Sequence, residues 1–516
     1  MPRSTGPVVT FLAGLMVGGW LLSARSGDPA GTQAGQAARP QDPAAEAVAP
    51  RKMGGDRPEA KPTEHDKSGV FDPKNAPPVS PALKGQPNEG KITGFDFARD
   101  PLNAPKPFTT FDEVMKKESA AKPKVMADQR KLLEARYNLE PKLDPAARMS
   151  RGKPLAVGPT ARLRDGMTFE QLAGLAPDEV KKQGLFPYPS LPHPLHANGG
   201  QVFPRTQIDM FPRLDRFDVD HDIPEAFLPE FPPAIFLQNR PELGDVSRGQ
   251  VVHLGNFREL FKEVLTPVQL EGLRMLLTPL PQEEFNLTDD RKSPHPQMGV
   301  ACFDCHLNGH TTGQFHLSPD IRPQERRFRL DTTSLRGMFN QQIHGSKRSL
   351  RSVEDFTEFE QRTAYFNGDS IRAMKKGFQE IPRSLVPHMA QAQNMLDFPP
   401  APKLNLVGRL TDSATESEKR GEQLFFGKAQ CAVCHPAPFY TDHLMHDLHL
   451  ERFLKDEPGD GPIKSFTLRG IKDSPPYLHD GRLLTLEDVV EFFNLVQGLK
   501  LNPQEKADLV AFLRCL

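Results

Sequence analysis

Four of the chain's five cysteines fall in two copies of one pattern, Cys302-Phe303-Asp304-Cys305-His306 and Cys431-Ala432-Val433-Cys434-His435. Cys-x-x-Cys-His is the attachment pattern of a c-type haem. Two thiols at this spacing reach the two vinyl groups on one porphyrin edge, and the His that follows turns beneath the ring as proximal iron ligand. The competing chemistry is a zinc ribbon built from two Cys-x-x-Cys knuckles. Ribbon knuckles stand roughly 15–20 residues apart, whereas 126 positions separate Cys305 from Cys431, and a ribbon gives no reason for a His after each pair. The residues therefore predict two covalently bound haems, with His306 and His435 on the irons. Cys515, the fifth cysteine, has no evident partner and reads as an unpaired terminal thiol.

Elements with clear start signals flank these motifs. Thr266-Pro267 supplies an N-cap and a proline at the first helical position, ahead of an apolar face at Leu270, Leu273, Leu276 and Leu277. Thr415-Glu416-Ser417-Glu418 is a capping box. It opens a helix whose Leu424, Phe425 and Phe426 precede the second haem motif. Asn502-Pro503 opens the last helix, with Leu509, Val510, Phe512 and Leu513 as its buried stripe. Helix, haem motif, loop and terminal helix is the plan of a small c-type cytochrome domain.

The chain also repeats. Ser334-Leu335-Arg336-Gly337 returns 133 positions later as Thr467-Leu468-Arg469-Gly470, and the haem cysteines return at 129. His344-Gly345 is matched to His479-Asp480-Gly481 at about 135, and Val353–Phe359 to Leu486–Phe492. Four matches in one order indicate a duplicated unit. The predicted fold is mainly α, with cytochrome c-like haem domains at 250–410 and 411–516 behind a long Pro-rich, largely irregular N-terminal region.

That region sets the expected compartment. Arg3 precedes an apolar run from Val8 to Leu22, shorter than the roughly 20 residues of a comfortable membrane span. Residues 1–24 read as a secretory signal peptide or a signal anchor, so the protein is expected outside the cytoplasm, periplasmic, with a marginal membrane tether if the signal is retained. The chain holds 52 prolines among 516 residues. Residues 25–165 are rich in Pro, Ala and Gly with few apolar clusters, and read as a disordered spacer. Residues 166–249, where aromatics return, read as irregular chain wrapped on a core. A formal charge of −1 gives no electrostatic case for a nucleic-acid partner.

Phe466-Thr467-Leu468-Arg469-Gly470, Ser474 to Gly481 and Thr485 to Phe492 resemble the second half of the bacterial di-haem cytochrome c peroxidase family, which includes the methylamine-utilisation enzyme branch. Arg329 to Arg336 is a looser match to the first half. The resemblance covers roughly 250–516. It implies one haem that reacts with hydrogen peroxide and a second that takes electrons from a small cytochrome c or a cupredoxin; a calcium ion is left open. It implies an acid–base Glu beyond the first-half Leu-Glu segment, for which Glu358 and Glu360 are candidates, and a displaceable His in the loop after Cys305-His306, where His316 is favoured over His310. Arg336 and Arg469 suit haem propionates, because a guanidinium pairs with a carboxylate bidentately.

The departures from the pattern are informative. The family places a Met or a Tyr ligand on the helix after Thr485-Leu486-Glu487, where this chain has Phe493, which has no lone pair to offer. Either the second haem is five-coordinate or its ligand comes from Tyr440, His443, Met445, His446 or His449. The family's bridging Trp is also missing: the single tryptophan is Trp20, and His344 occupies or adjoins the vacant place. Three function classes follow: a peroxidase, an oxidase or oxygenase acting on an organic or protein substrate, and a plain electron-transfer cytochrome.

Overall fold

Where a capping residue stands three positions before an acid or an amide, a helix begins. The computed structural model describes residues 111–191, 201–214, 221–279, 281–282, 297–298, 300–317, 329–360, 381–455 and 459–516. The signal, the spacer up to residue 110 and Trp20 lie outside them. The longer helices are α1 (Phe111–Arg136), α2 (Pro267–Leu276), α3 (Val353–Glu360), α4 (Val386–Asn394), α5 (Glu416–Phe426), α6 (Leu486–Val496) and α7 (Pro503–Leu513). Thr266, Thr415, Thr485 and Asn502 each close a reciprocal capping box with the residue three positions on. Strands are short and pair in twos and threes, so the fold is mainly helical.

In each half two helices cross at a glycine. A Cβ on Gly272 of α2 would stand 1.9 Å from the His388 carbonyl oxygen of α4, and one on Gly421 of α5 would stand 2.0 Å from the Asp508 carbonyl oxygen of α7. Only a residue without a side chain lets the backbones come so close. Around the first crossing lies a core containing Phe261, Leu273, Leu276, Met389 and Leu396; around the second lies one containing Phe425, Phe492, Leu509 and Phe512. Rings of Phe425, Tyr440 and Phe512 pack edge to face with centroids 5.2–6.2 Å apart.

The expected spacer is corrected over 111–165. Residues there form α1 and a hairpin pairing Leu143–Arg148 with Pro154–Ala156. The polar composition hides a stripe at helical spacing, Gln129, Leu133 and Tyr137, all buried. Leu133 and Tyr137 join Val202, Phe227, Phe315 and Leu484 in a third apolar cluster. Residues 166–249 feed the first two cores: Leu172, Val180 and Phe186 enter the second, and Phe203, Ile235 and Leu237 the first.

The duplication is visible in backbone geometry. Gly337 (φ 76°, ψ 19°) and Gly470 (φ 74°, ψ 16°) hold the same left-handed turn, each leading into one turn of 3₁₀ helix. Two isolated β-bridges, His344 with Leu350 and Tyr477 with Leu483, also lie 133 positions apart. This constant offset corrects the match of His344 with His479: the counterpart of His344 is Tyr477. It carries on through the helices, pairing Thr357 with Val490 and Glu360 with Phe493.

Candidate haem site

Both haem motifs open onto one cavity, lined by Cys302, Cys305 and His306 from the first half and Cys431, Cys434 and His435 from the second. Cys302–Cys305 is a single helical turn and Cys431–Val433 a 3₁₀ turn, which bring the paired thiols to one side. None of the five cysteines is in a disulfide. Burial raises the Cys431 thiol to about 12 and raises Cys434. Burial, with Asp304, Cys302 and Glu360 beside it, holds Cys305 well above its ordinary range.

The two histidines are oriented alike. Nδ1 of His306 lies 2.8 Å from the Thr333 carbonyl oxygen and Nδ1 of His435 lies 2.8 Å from that of Tyr440. A carbonyl only accepts, so Nδ1 carries the proton and Nε2 keeps its lone pair. Burial lowers the His306 pKa to about 4 and lowers that of His435, so both rings are neutral near pH 7, the form that ligates a metal. Paired thiols, an Nε2 lone pair and apolar walls fit a c-type haem at each motif.

Arg336 and Arg469 both line the cavity. Arg336 is buried and donates from Nη1 to Asp473 Oδ2 at 2.9 Å and from Nη2 to the Ala234 carbonyl oxygen at 2.7 Å. Its Nε is buried without a hydrogen-bond partner, a donor suited to a propionate. Arg469 donates from Nε to the Leu516 carbonyl oxygen at 2.9 Å. Both guanidiniums thus spend part of their donor set on protein oxygens, and Arg336 keeps its Nε–H and one further N–H on each Nη.

The two acid–base candidates separate. Glu360, half-buried on the last turn of α3, lines the cavity. Glu358 does not; its carboxylate accepts from Arg383 at 2.9 Å. His316 lines the cavity from the strand Phe315–Leu317. His310 lines it too, but both its nitrogens are engaged, Nδ1 with Ser334 Oγ at 2.7 Å and Nε2 with the Asp473 carbonyl oxygen at 2.9 Å.

Of the five second-haem ligand candidates, His446 lines the cavity, with Nε2 held 2.8 Å from Asp442 Oδ2. Met445, Tyr440, His443 and His449 are not among the lining residues. Met445 is fixed in a backbone pairing with Lys464, and the Tyr440 hydroxyl donates to the Gly408 carbonyl oxygen. His449 lies against Asp447 and Glu451, whose ligand atoms and its own stand within 4.8 Å of one another. Phe493 lines the cavity as the repeat counterpart of Glu360.

Sequence reasoning missed Asp331, Lys464 and Tyr477, all on the cavity wall. Asp331 Oδ1 is buried without a hydrogen-bond partner, and burial followed by Asp480 pushes its carboxyl well above the usual range. Burial lowers the Lys464 ammonium to about 8, with Arg348 adding to the effect. Asp331 and Tyr477 lie inside the motif segments and Lys464 just before one, but only the fold shows that all three reach the cavity.

No protein-family model matches the chain. A cytochrome-c peroxidase, IdrP1, from a Pseudomonas species is 29% identical over 19% of this chain and 40% of its own length. The methylamine utilization protein MauG of Methylorubrum extorquens is 32% identical over 19% of this chain and 34% of its own. MauG of Methylophilus methylotrophus is 28% identical over 30% of this chain and 50% of its own. The matched region thus spans half or less of these relatives. Among solved structures, a MauG-like protein associated with microbial copper homeostasis gives a TM-score of 0.33 at 19% identity, covering 50% of this chain and 90% of that one. Over the matched segment the chain is thus similar to these cytochrome-c peroxidases and to MauG, and it carries two Cys-x-x-Cys-His motifs.

Proposed function

We propose that the protein is an exported di-haem oxidoreductase that reduces hydrogen peroxide to water at the first haem site, with electrons entering through the second from a small cytochrome c or a cupredoxin. The observation that carries this reading is the asymmetry between the repeats: Glu360 on the first cavity wall, Phe493 at the same repeat position on the second. Bound haems would supply the two redox-active irons, held by His306 and His435 and anchored through the four motif cysteines.

The chain's own residues then have definable tasks. Glu360 takes a proton from one peroxide oxygen and returns it to the leaving oxygen, the acid–base work that O–O cleavage needs. Hydrogen peroxide, two electrons and two protons give two waters. Thr333 and Tyr440 hold the histidine rings through Nδ1. The wall around the first site, with Leu330, Leu335 and Ile381, excludes bulk water from the reacting oxygens. The oxidase or oxygenase reading is favoured by one observation, the phenyl ring at Phe493 where the family offers a ligand.

The deciding measurement is steady-state peroxide loss with a reduced small cytochrome c as donor. Two donors oxidised per peroxide consumed is the expected result, and Glu360→Gln should slow it by about 10²–10⁴-fold. Loss no faster than free haem supports would overturn the peroxidase reading in favour of the oxidase one.

A further inference from the structure

The two cavity walls differ in a consistent direction. In the first half α3 presents Thr357 and Glu360, and α4 presents Gln393. Thr357 Oγ1 donates to the Val353 carbonyl oxygen at 2.7 Å and accepts from Gln393 Nε2 at 3.0 Å, so this wall is polar and hydrogen-bonded. In the second half the counterparts on α6 are Val490 and Phe493, with Val489 beside them, and α7 contributes Leu509 and Leu513. Gln497, just past the end of α6, also lines the cavity but is exposed. Thr357 and Glu360 of α3 are thus replaced on α6 by the apolar Val490 and Phe493.

We propose that the second haem site has an open distal face, walled by Val489, Val490 and Phe493, that binds a small neutral diatomic ligand of the carbon monoxide or nitric oxide type. The proposal rests on the di-haem reading above. A phenyl ring and two valines offer the iron no lone pair. They also offer an incoming ligand no hydrogen-bond donor, so a ligand that needs one loses hydration against them without compensation. A neutral diatomic loses little on leaving water. Hydrogen peroxide needs a proton taken and returned, and no group at 489, 490 or 493 can do that.

The test uses the full-length protein with its haems, counted by haem stain and by the absorption of the denatured pyridine complex. The ferrous protein is titrated with carbon monoxide, and the ferric protein is examined by EPR. Wild type is compared with Phe493→Met, and with Cys431→Ser/Cys434→Ser, which removes the second haem. Removing that haem should lower carbon monoxide uptake by one equivalent per chain and abolish one high-spin EPR signal. Phe493→Met should convert the same haem to low spin, with both haems still attached, and raise its reduction potential, because Met ligation favours the ferrous state. The proposal is overturned if wild type carries both haems but loss of the second changes neither carbon monoxide uptake nor the high-spin signal. Absence of covalent haem from wild type would instead sink the di-haem reading itself.

Discussion

Glu358 and Glu360 stand two positions apart on one helix, which turns their side chains to different faces. One meets Arg383 at the surface and the other meets the cavity. Glu358→Gln should therefore leave peroxide turnover unchanged, since it removes an ion pair whose arginine is 80% exposed and which is worth roughly 0–1 kcal/mol. A slowing as large as that of Glu360→Gln would show that the register of α3 is wrong. Cys431→Ser alone should strip the second haem from a haem-stained denaturing gel or weaken its attachment to a single thioether, leaving the first intact. The paired motifs were legible in the sequence because their spacing is local: each Cys-x-x-Cys-His is five consecutive residues, and both reach the cavity wall. It was illegible where partners are distant. Arg336 suited a propionate by its type, but nothing near it in sequence indicates Asp473, 137 positions on, as the partner that takes Nη1.

At the scale of elements, the glycine crossings are the most exposed to test. Gly421→Val forces a side chain into a backbone contact of 2.0 Å. It should cost about 1–3 kcal/mol or more, as overpacking does in a tight interior. Thr415→Ala, which removes the cap of the same helix, should cost about 1 kcal/mol. Thermal unfolding of the haem-loaded protein ranks the two, and a valine variant as stable as the alanine one would mean that α5 and α7 do not cross here. The capped helices were the most legible part of the fold: Thr266, Thr415 and Asn502 mark the first turns of α2, α5 and α7. Helix α1 was not, because its buried stripe is short and stands among lysines and glutamates, with Pro123 inside the helix.

At the scale of the molecule, the two halves are joined by buried charge. Arg336 and Asp473 are both nearly inaccessible. Burial works to raise the Asp473 carboxyl, but Arg336, then His310 and Ser150, outweigh it and hold the carboxyl below its ordinary range. A carboxyl held low in the folded state adds stability above the usual carboxylate pKa of about 4 and loses it as the pH falls through its folded value. Arg336→Met should destabilise the protein by roughly 3–5 kcal/mol near neutral pH, because it strands a buried carboxylate. The deficit should shrink as the pH drops and Asp473 takes up a proton. Denaturant unfolding at several pH values gives the measurement; a deficit that stays constant with pH would mean the pair is not ionic.

One contact has a consequence in time. Asp488, at the first turn of α6, accepts from the backbone and hydroxyl of Thr160 and from the backbone of Ala161, across 328 and 327 positions of chain. Contacts of such sequence separation form late, since a long loop must close before they can reward it. Residues 160 to 186 are made well before the residues of α6 and α7 that they share a core with. Until α6 exists the second core lacks Val490 and Phe492, and the cavity that Cys431 and Cys434 line lacks part of its wall. When Thr160 finally meets Asp488, that interval ends.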